Sequence, residues 1–240
     1  MHLFWQMPNR VSDASPITQC SAVCEILVLP RIEKTYFWAL QATFTDADGA
    51  DHGAAHLGLQ YYPPHPRSRA VNWGGYPPAH ENWKRVFDGS PSPLPSDTDD
   101  ANTRNFDWHQ LRPYRFTISL AAPPAHGWRG TVTDHETGVE THVRDLWAGG
   151  DRLRGFVVWS EWFSPPDAPT VVARWSQCRA KAADGTVIFP TGLFVNHPND
   201  GGHTNVGHVI ERGGPDAAVQ QIINTARTVP HGTVVPVVAS

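Results

Sequence analysis

The chemistry available to this chain is concentrated in seven side chains on five segments: Gln41, His56, Gln60, Tyr62, Asn72, Glu161 and Arg174. Each interrupts or flanks an apolar alternation, on the side opposite the apolar residues. Two indoles, Trp73 and Trp159, accompany them. Planar amides, a guanidinium and a carboxylate hydrogen-bond hydroxyl groups, and aromatic rings stack on the apolar faces of pyranose rings. If the segments share one sheet face, they form a polar groove suited to a sugar. Within it, Glu161, His56 and Arg174 are the candidates for acid, base and charge neutraliser. Gln41, Gln60, Tyr62, Asn72, Trp73 and Trp159 are the candidates for binding. A plainer reading accompanies each residue. Polar side chains are expected on an open sheet face, and Glu161 with Arg174 would also make an ordinary ion pair between adjacent strands.

A glycosidase needs two carboxyl groups at a defined separation. No Glu-x-x-x-Glu pattern lies on a core strand, and Glu161 is the only carboxylate inside a strong strand. A binding role therefore ranks above a glycoside hydrolase or polysaccharide lyase. Asp46, Asp48 and Asp51 crowd one turn around Gly49. Hard carboxylates of this kind suit calcium, but Asp-Gly turns form for backbone reasons alone, and the turn reading is preferred. No other cofactor is expected. Gly-x-Ser-x-Gly, Walker A and the dinucleotide fingerprint are absent.

The elements that must position these residues read as strands. Tyr36, Trp38, Leu40, Ala42 and Phe44 alternate with Phe37, Ala39, Gln41 and Thr43, so the larger set faces a core with a period of two. Residues 54–62 repeat the pattern after an Asp-Ala-Asp-Gly turn and complete a hairpin. Segments 21–29, 69–76, 114–120, 127–133, 139–147, 153–163, 170–178 and 185–196 are further strands. Residues 2–5 are expected at a sheet edge, and Val234 to Val238 as a strand or a frayed end. One helix is expected over 215–227, where Pro215 and Asp216 provide a start signal. Residues 77–107 form a long Pro-rich loop, of the length that carries function or mobility. The whole, 1–240, reads as one β-sandwich domain.

Composition agrees with a packed domain. Hydrophobic residues make up 40% and charged residues 18%, with ten Trp and a net charge of -4. No basic stripe suggests nucleic acid, and no run approaches a membrane span. Three Cys cannot form a complete disulfide set, so buried or free thiols are expected. The opening residues do not read as a secretory signal. The expected location is cytoplasmic, or secreted if the sequence starts after processing.

Several stretches carry a family resemblance: Tyr36-Phe37-Trp38-Ala39-Leu40-Gln41, His56-Leu57-Gly58-Leu59-Gln60, Val71-Asn72-Trp73, Phe156-Val157-Val158-Trp159-Ser160-Glu161 and Ala173-Arg174-Trp175-Ser176. They resemble uncharacterised bacterial proteins of the concanavalin A-like lectin/glucanase kind. The resemblance implies a two-sheet antiparallel jelly roll with a concave face, and it carries no activity with it. The expectation is a carbohydrate-binding, lectin-like sandwich for a glycan or small molecule. The alternatives are a glycan-active enzyme in the same groove, and a cytosolic enzyme or binder for an apolar small molecule.

Overall fold

A computed structural model describes residues 1–240 except 9–14, 79–85, 124–125, 200, 210–216 and 238–240. The described residues form two antiparallel sheets and no α-helix. The strands are β1 (His2–Gln6), β2 (Ile17–Val28), β3 (Tyr36–Thr45), β4 (Asp51–Tyr61), β5 (Arg69–Tyr76), β6 (Thr103–Asn105), β7 (Tyr114–Leu120) and β8 (Trp128–Asp134). They continue with β9 (Glu140–Leu146), β10 (Arg152–Trp162), β11 (Val171–Ala182), β12 (Val187–Ile188), β13 (Gly192–Asn196), β14 (Thr204–Val209), β15 (Ala218–Ile223) and β16 (Val234–Pro236). The front sheet has the order β16-β13-β1-β10-β3-β4-β5-β6. The back sheet runs β14-β15-β11-β2-β7-β8-β9, with β12 paired to β11.

The core between them follows from side-chain alternation. Tyr36, Trp38, Leu40, Ala42 and Phe44 of β3 are fully buried, as are Leu57 and Leu59 of β4 and Phe116 and Ile118 of β7. Trp5, Trp38, Trp73, Trp108, Trp128 and Trp175 join one apolar cluster drawn from both sheets. Most of the tryptophan therefore serves packing. Cys20, Cys24 and Cys178 are free and buried.

Two expectations about elements change. Residues 2–5 are an internal strand between β13 and β10, because Leu3 and Trp5 bury one face while both edges find partners. The described part of 215–227 is essentially β15 followed by a bend and coil; residues 215 and 216 lie outside the described residues. Its alternation decides this: Val219, Gln221 and Ile223 face inward, with Gln220 and Ile222 less buried. Buried Gln221 accepts from Trp175 Nε1 at 2.8 Å and also from Ser160 Oγ, so a polar residue serves as a link between the sheets. No helix among the described residues is long and apolar enough to cross a membrane.

Two β-bulges decide which side chains reach which surface. In β10, Arg154 pairs with Thr43 but Val157 pairs with Gln41. One extra residue thus enters β10, and the parity of everything after it changes. Leu153 faces the core, then Phe156 and Val158 do, which turns Val157, Trp159 and Glu161 to the opposite face. Gly155 makes this possible with φ of +59°, a conformation costly for a residue with a Cβ. The second bulge, in β11, lies between Ser176 and Arg179.

Candidate functional site

The face of the front sheet turned away from the core carries an open groove of about 1060 Å³. That is just above the ~300–1,000 Å³ typical of small-ligand sites. Strand register fixes its plan. Gln41 lies opposite His56, Gly58 opposite both Ala39 and Asn72, and Phe37 opposite both Gln60 and Glu161. From the Thr43–Ala54–Tyr76 row to the Phe37 row the strands advance six residues, roughly 20 Å at the usual rise.

An aromatic group forms one wall. The rings of Phe37, His56 and Trp159 meet edge to face, with centroids 4.9 to 5.5 Å apart. Trp159 Nε1 donates to Gln41 Oε1 at 3.0 Å, which fixes the amide so that its NH₂ is left for other acceptors. Tyr76 is 43% exposed at one end of the groove, 6.0 Å from His56. Burial pushes the His56 imidazole down to about 4, partly opposed by Asp100 and the Asn72 amide. The ring is therefore neutral at pH 7.

The other wall is a polar relay. Asn72 Nδ2 donates to Thr103 Oγ1 at 2.8 Å, and Thr103 Oγ1 donates to Asp100 Oδ2 at 2.6 Å. Asn72 Oδ1 is buried on the His56 side of the relay. Gly74 lacks a side chain where a Cβ would lie 2.5 Å from Asn102, so Asn102 can lie against the sheet. Glu161 sits near Trp162 at the far end, and burial raises its carboxyl above the usual range. No ion pair engages Glu161, Asp51 or Asp100 among the described residues, and no described Lys or Arg lines the groove.

The register brings together Gln41, His56, Gln60, Asn72, Trp159 and Glu161, all of which line the groove. Three expected members lie elsewhere. Arg174 is on the back sheet, where it pairs with Glu25 rather than Glu161, because β11 hydrogen-bonds β2 and β15. Trp73 is fully buried in the core, since β5 turns its even-numbered residues to the groove. Tyr62 follows the end of β4, where its backbone N–H donates to Ser68 in a turn and its ring lies 5.3 Å from His65. The aspartate turn also resolves. Asp46 accepts from the amides of Asp48 and Ala50 and meets His52, while Asp51 accepts from Gly53, one of the groove-lining residues. Among the described residues no group of three or more His, Cys, Asp or Glu is placed to hold a metal.

Phe37, Tyr76, Asp100 and Asn102 are groove residues that sequence reasoning missed. Phe37 shares odd parity with Gln41, and Tyr76 shares even parity with Asn72, so both were available from alternation. Asp100 and Asn102 come from the long loop, for which no periodic signal exists.

No family model matches the chain, and no curated protein does. Solved structures of β-sandwich proteins do match it. Scytalido-glutamic peptidase with a peptide-based transition state analog aligns at 9% identity and a TM-score of 0.45, covering 91% of this chain and 95% of that one. SCP-B, a member of the eqolisin family of peptidases, in a complex with a tripeptide Ala-Ile-His, aligns at 10% and 0.42, covering 92% and 95%. The marine PL-14 alginate lyase from Aplysia kurodai aligns at 7% and 0.36, covering 92% and 79%.

Proposed function

We propose that the chain binds a neutral oligosaccharide in the concave groove of its front sheet. The observation that supports this most directly is the convergence of four amides, Gln41, Gln60, Asn72 and Asn102, with aromatic edges in one open groove that no described Lys or Arg lines. Amides both donate and accept, as sugar hydroxyls do. Gln41, whose Oε1 is taken by Trp159 Nε1, keeps its NH₂ for a ligand acceptor. Tyr76 offers the exposed ring face. A lyase acting on uronates would need a cation to neutralise the carboxylate; in the described lining the α-ammonium of Met1, which donates to Ser160 O at 2.8 Å and lies close enough to act on Glu161, is a cation, and no Lys or Arg joins it.

The test is calorimetric titration with a panel of neutral hexasaccharides and, for comparison, uncharged hexapeptides. A saturable sugar response is expected. Asn72→Ala should weaken it about tenfold, the lower end of what a lost buried hydrogen bond costs. Silence across the sugar panel, or a response to peptides alone, would overturn the reading.

One observation favours a second reading, catalysis. Glu161 is a carboxyl whose pKa burial raises above the usual range, the direction that suits a general acid. Release of new reducing ends between pH 4 and 6, abolished by Glu161→Gln with binding retained, would establish a hydrolase. Binding without release would leave the lectin-like reading.

A further inference from the structure

The back sheet carries a second constellation, on its solvent face and away from the groove. Its origin is the bulge in β11. Val171, Ala173 and Trp175 face the core, and then Cys178, Ala180 and Ala182 do. The extra residue between Ser176 and Arg179 makes the switch, with Gln177 at φ of +50°. Without it Arg179 would point into the core. With it, Arg179 comes out opposite Ser21 of β2.

Arg115 of β7 reaches the same spot from the other side. Arg179 Nε donates to Ser21 Oγ at 3.2 Å, and Arg115 Nη1 donates to it at 3.4 Å. Ser21 is 1% exposed and supplies only an acceptor pair to two cations. Arg115 also donates to Gln177 Oε1, and its Nη2 lies 3.1 Å from His135 Nε2. No carboxylate pairs with either guanidinium among the described residues: Glu25 serves Arg174, and Asp134 serves Arg112. Arg179 gives both of its Nη groups no protein acceptor among the described residues. Two half-buried guanidiniums are thus fixed side by side by neutral groups. A left-handed, non-glycine backbone at Gln177 is maintained to do it. Like charges so placed repel, and burial strengthens the repulsion.

We propose that Arg115 and Arg179, with Gln177 and Ser21 holding them, form a site for a tetrahedral oxyanion, a sulfate or phosphate group, on the solvent face of the back sheet. Guanidinium forks bind such oxyanions with paired hydrogen bonds. An oxyanion there would neutralise both cations and take up the free Nη groups of Arg179. The group can arrive free in solution or as an ester on a saccharide.

The test is thermal unfolding of the full chain with increasing sodium sulfate. Ionic strength is held constant with sodium chloride, so that general screening is removed. A saturable rise in Tm is expected for the wild type. It should be absent in Arg179→Gln, while Arg154→Gln, an exposed arginine on the other sheet, responds as wild type. Removing one of two repelling charges also predicts that Arg179→Gln, in low salt without sulfate, unfolds no lower than wild type. That separates loss of the site from loss of fold. A parallel titration uses a sulfated hexasaccharide. At least tenfold tighter binding than sulfate identifies an esterified ligand, and equal binding identifies the free ion. An equal sulfate response in wild type and Arg179→Gln, or none in the wild type, overturns the proposal. So does a large loss of stability in Arg179→Gln at low salt.

Discussion

Gly155→Ala tests the feature on which the groove depends. The residue adopts φ of +59°, and a Cβ there would lie 2.9 Å from Thr43 Oγ1. Placing an alanine in the left-handed region costs about 1–2 kcal/mol. The contact adds to this, unless the Thr43 side chain rotates away. For a chain of this size, each kcal/mol lowers Tm by roughly 2–4 °C, so a fall of about 2–8 °C is expected. Two controls separate the contributions. Gly49→Ala has a similar backbone, with φ of +81°, and nothing within 4 Å of the new Cβ. It should show the conformational cost alone. Thr43→Ala combined with Gly155→Ala should recover the contact part, as a coupling of about 0.5–1 kcal/mol. Urea unfolding followed by tryptophan fluorescence gives both numbers, and the emission of Trp159 reports whether the groove wall survives. If Gly155→Ala lies within about 0.5 kcal/mol of wild type, the range of a neutral surface change, the bulge does not depend on glycine. The account of how Trp159 and Glu161 reach the groove would then fail.

Other outcomes follow from the same geometry. Leu59→Ala should cost about 2–5 kcal/mol in chemical unfolding, the range for a fully buried leucine. Between about pH 6.5 and 4 the unfolded chain protonates His56 before the folded one does, because the folded value is held down to about 4. Stability should therefore fall as pH falls through that window, and His56→Gln should flatten the fall. Glu161 has the opposite sign: its folded value is raised, so its contribution is lost as pH rises. Glu161→Gln should then be more stable than wild type at pH 7, measured by Tm. Gln41→Ala should remove the acceptor for Trp159 Nε1 and change the fluorescence of Trp159. The effect should be absent in Gln19→Ala, a back-sheet control.

What the sequence made legible was parity within a strand. Alternation placed Gln41, His56, Gln60 and Asn72 on one face, and it placed Leu57 and Leu59 on the other. It also contained a contradiction that went unused: if Asn72 faces the groove, its neighbour Trp73 faces the core. Alternation says nothing of sheet membership, which depends on long-range pairing. Glu161 and Arg174 sit on successive strands, so a shared sheet was a natural expectation. Yet the chain crosses between sheets after β10, and the two side chains end on opposite sides of the molecule. Strand ends are equally silent. Tyr62 has the right parity and lies one residue too late. The stretch around Val219 was ambiguous for another reason: a short apolar run reads as helix or strand until its partners are known.

The bulges mark the deeper limit. Each inserts one residue and reverses the facing of all that follow, so a single position decides whether a side chain is core or surface. Gly155 is visible in the sequence as a glycine inside a strand, a recognised warning of a bulge. Gln177 carries no such mark, since its left-handed backbone belongs to a residue type that does not advertise it. This difference separates the two surfaces of the molecule. The groove lay within reach of sequence reasoning because its segment after Gly155 is read correctly from Phe156 onward. The arginine pair did not, because strict alternation from Trp175 assigns Arg179 to the core and Cys178 to solvent, the reverse of what is found. A charged residue that alternation sends inward is itself the signal. Burying an unpaired guanidinium is prohibitive, so the register must break before Arg179. The break then delivers that charge beside Arg115, on a face no apolar pattern would have singled out.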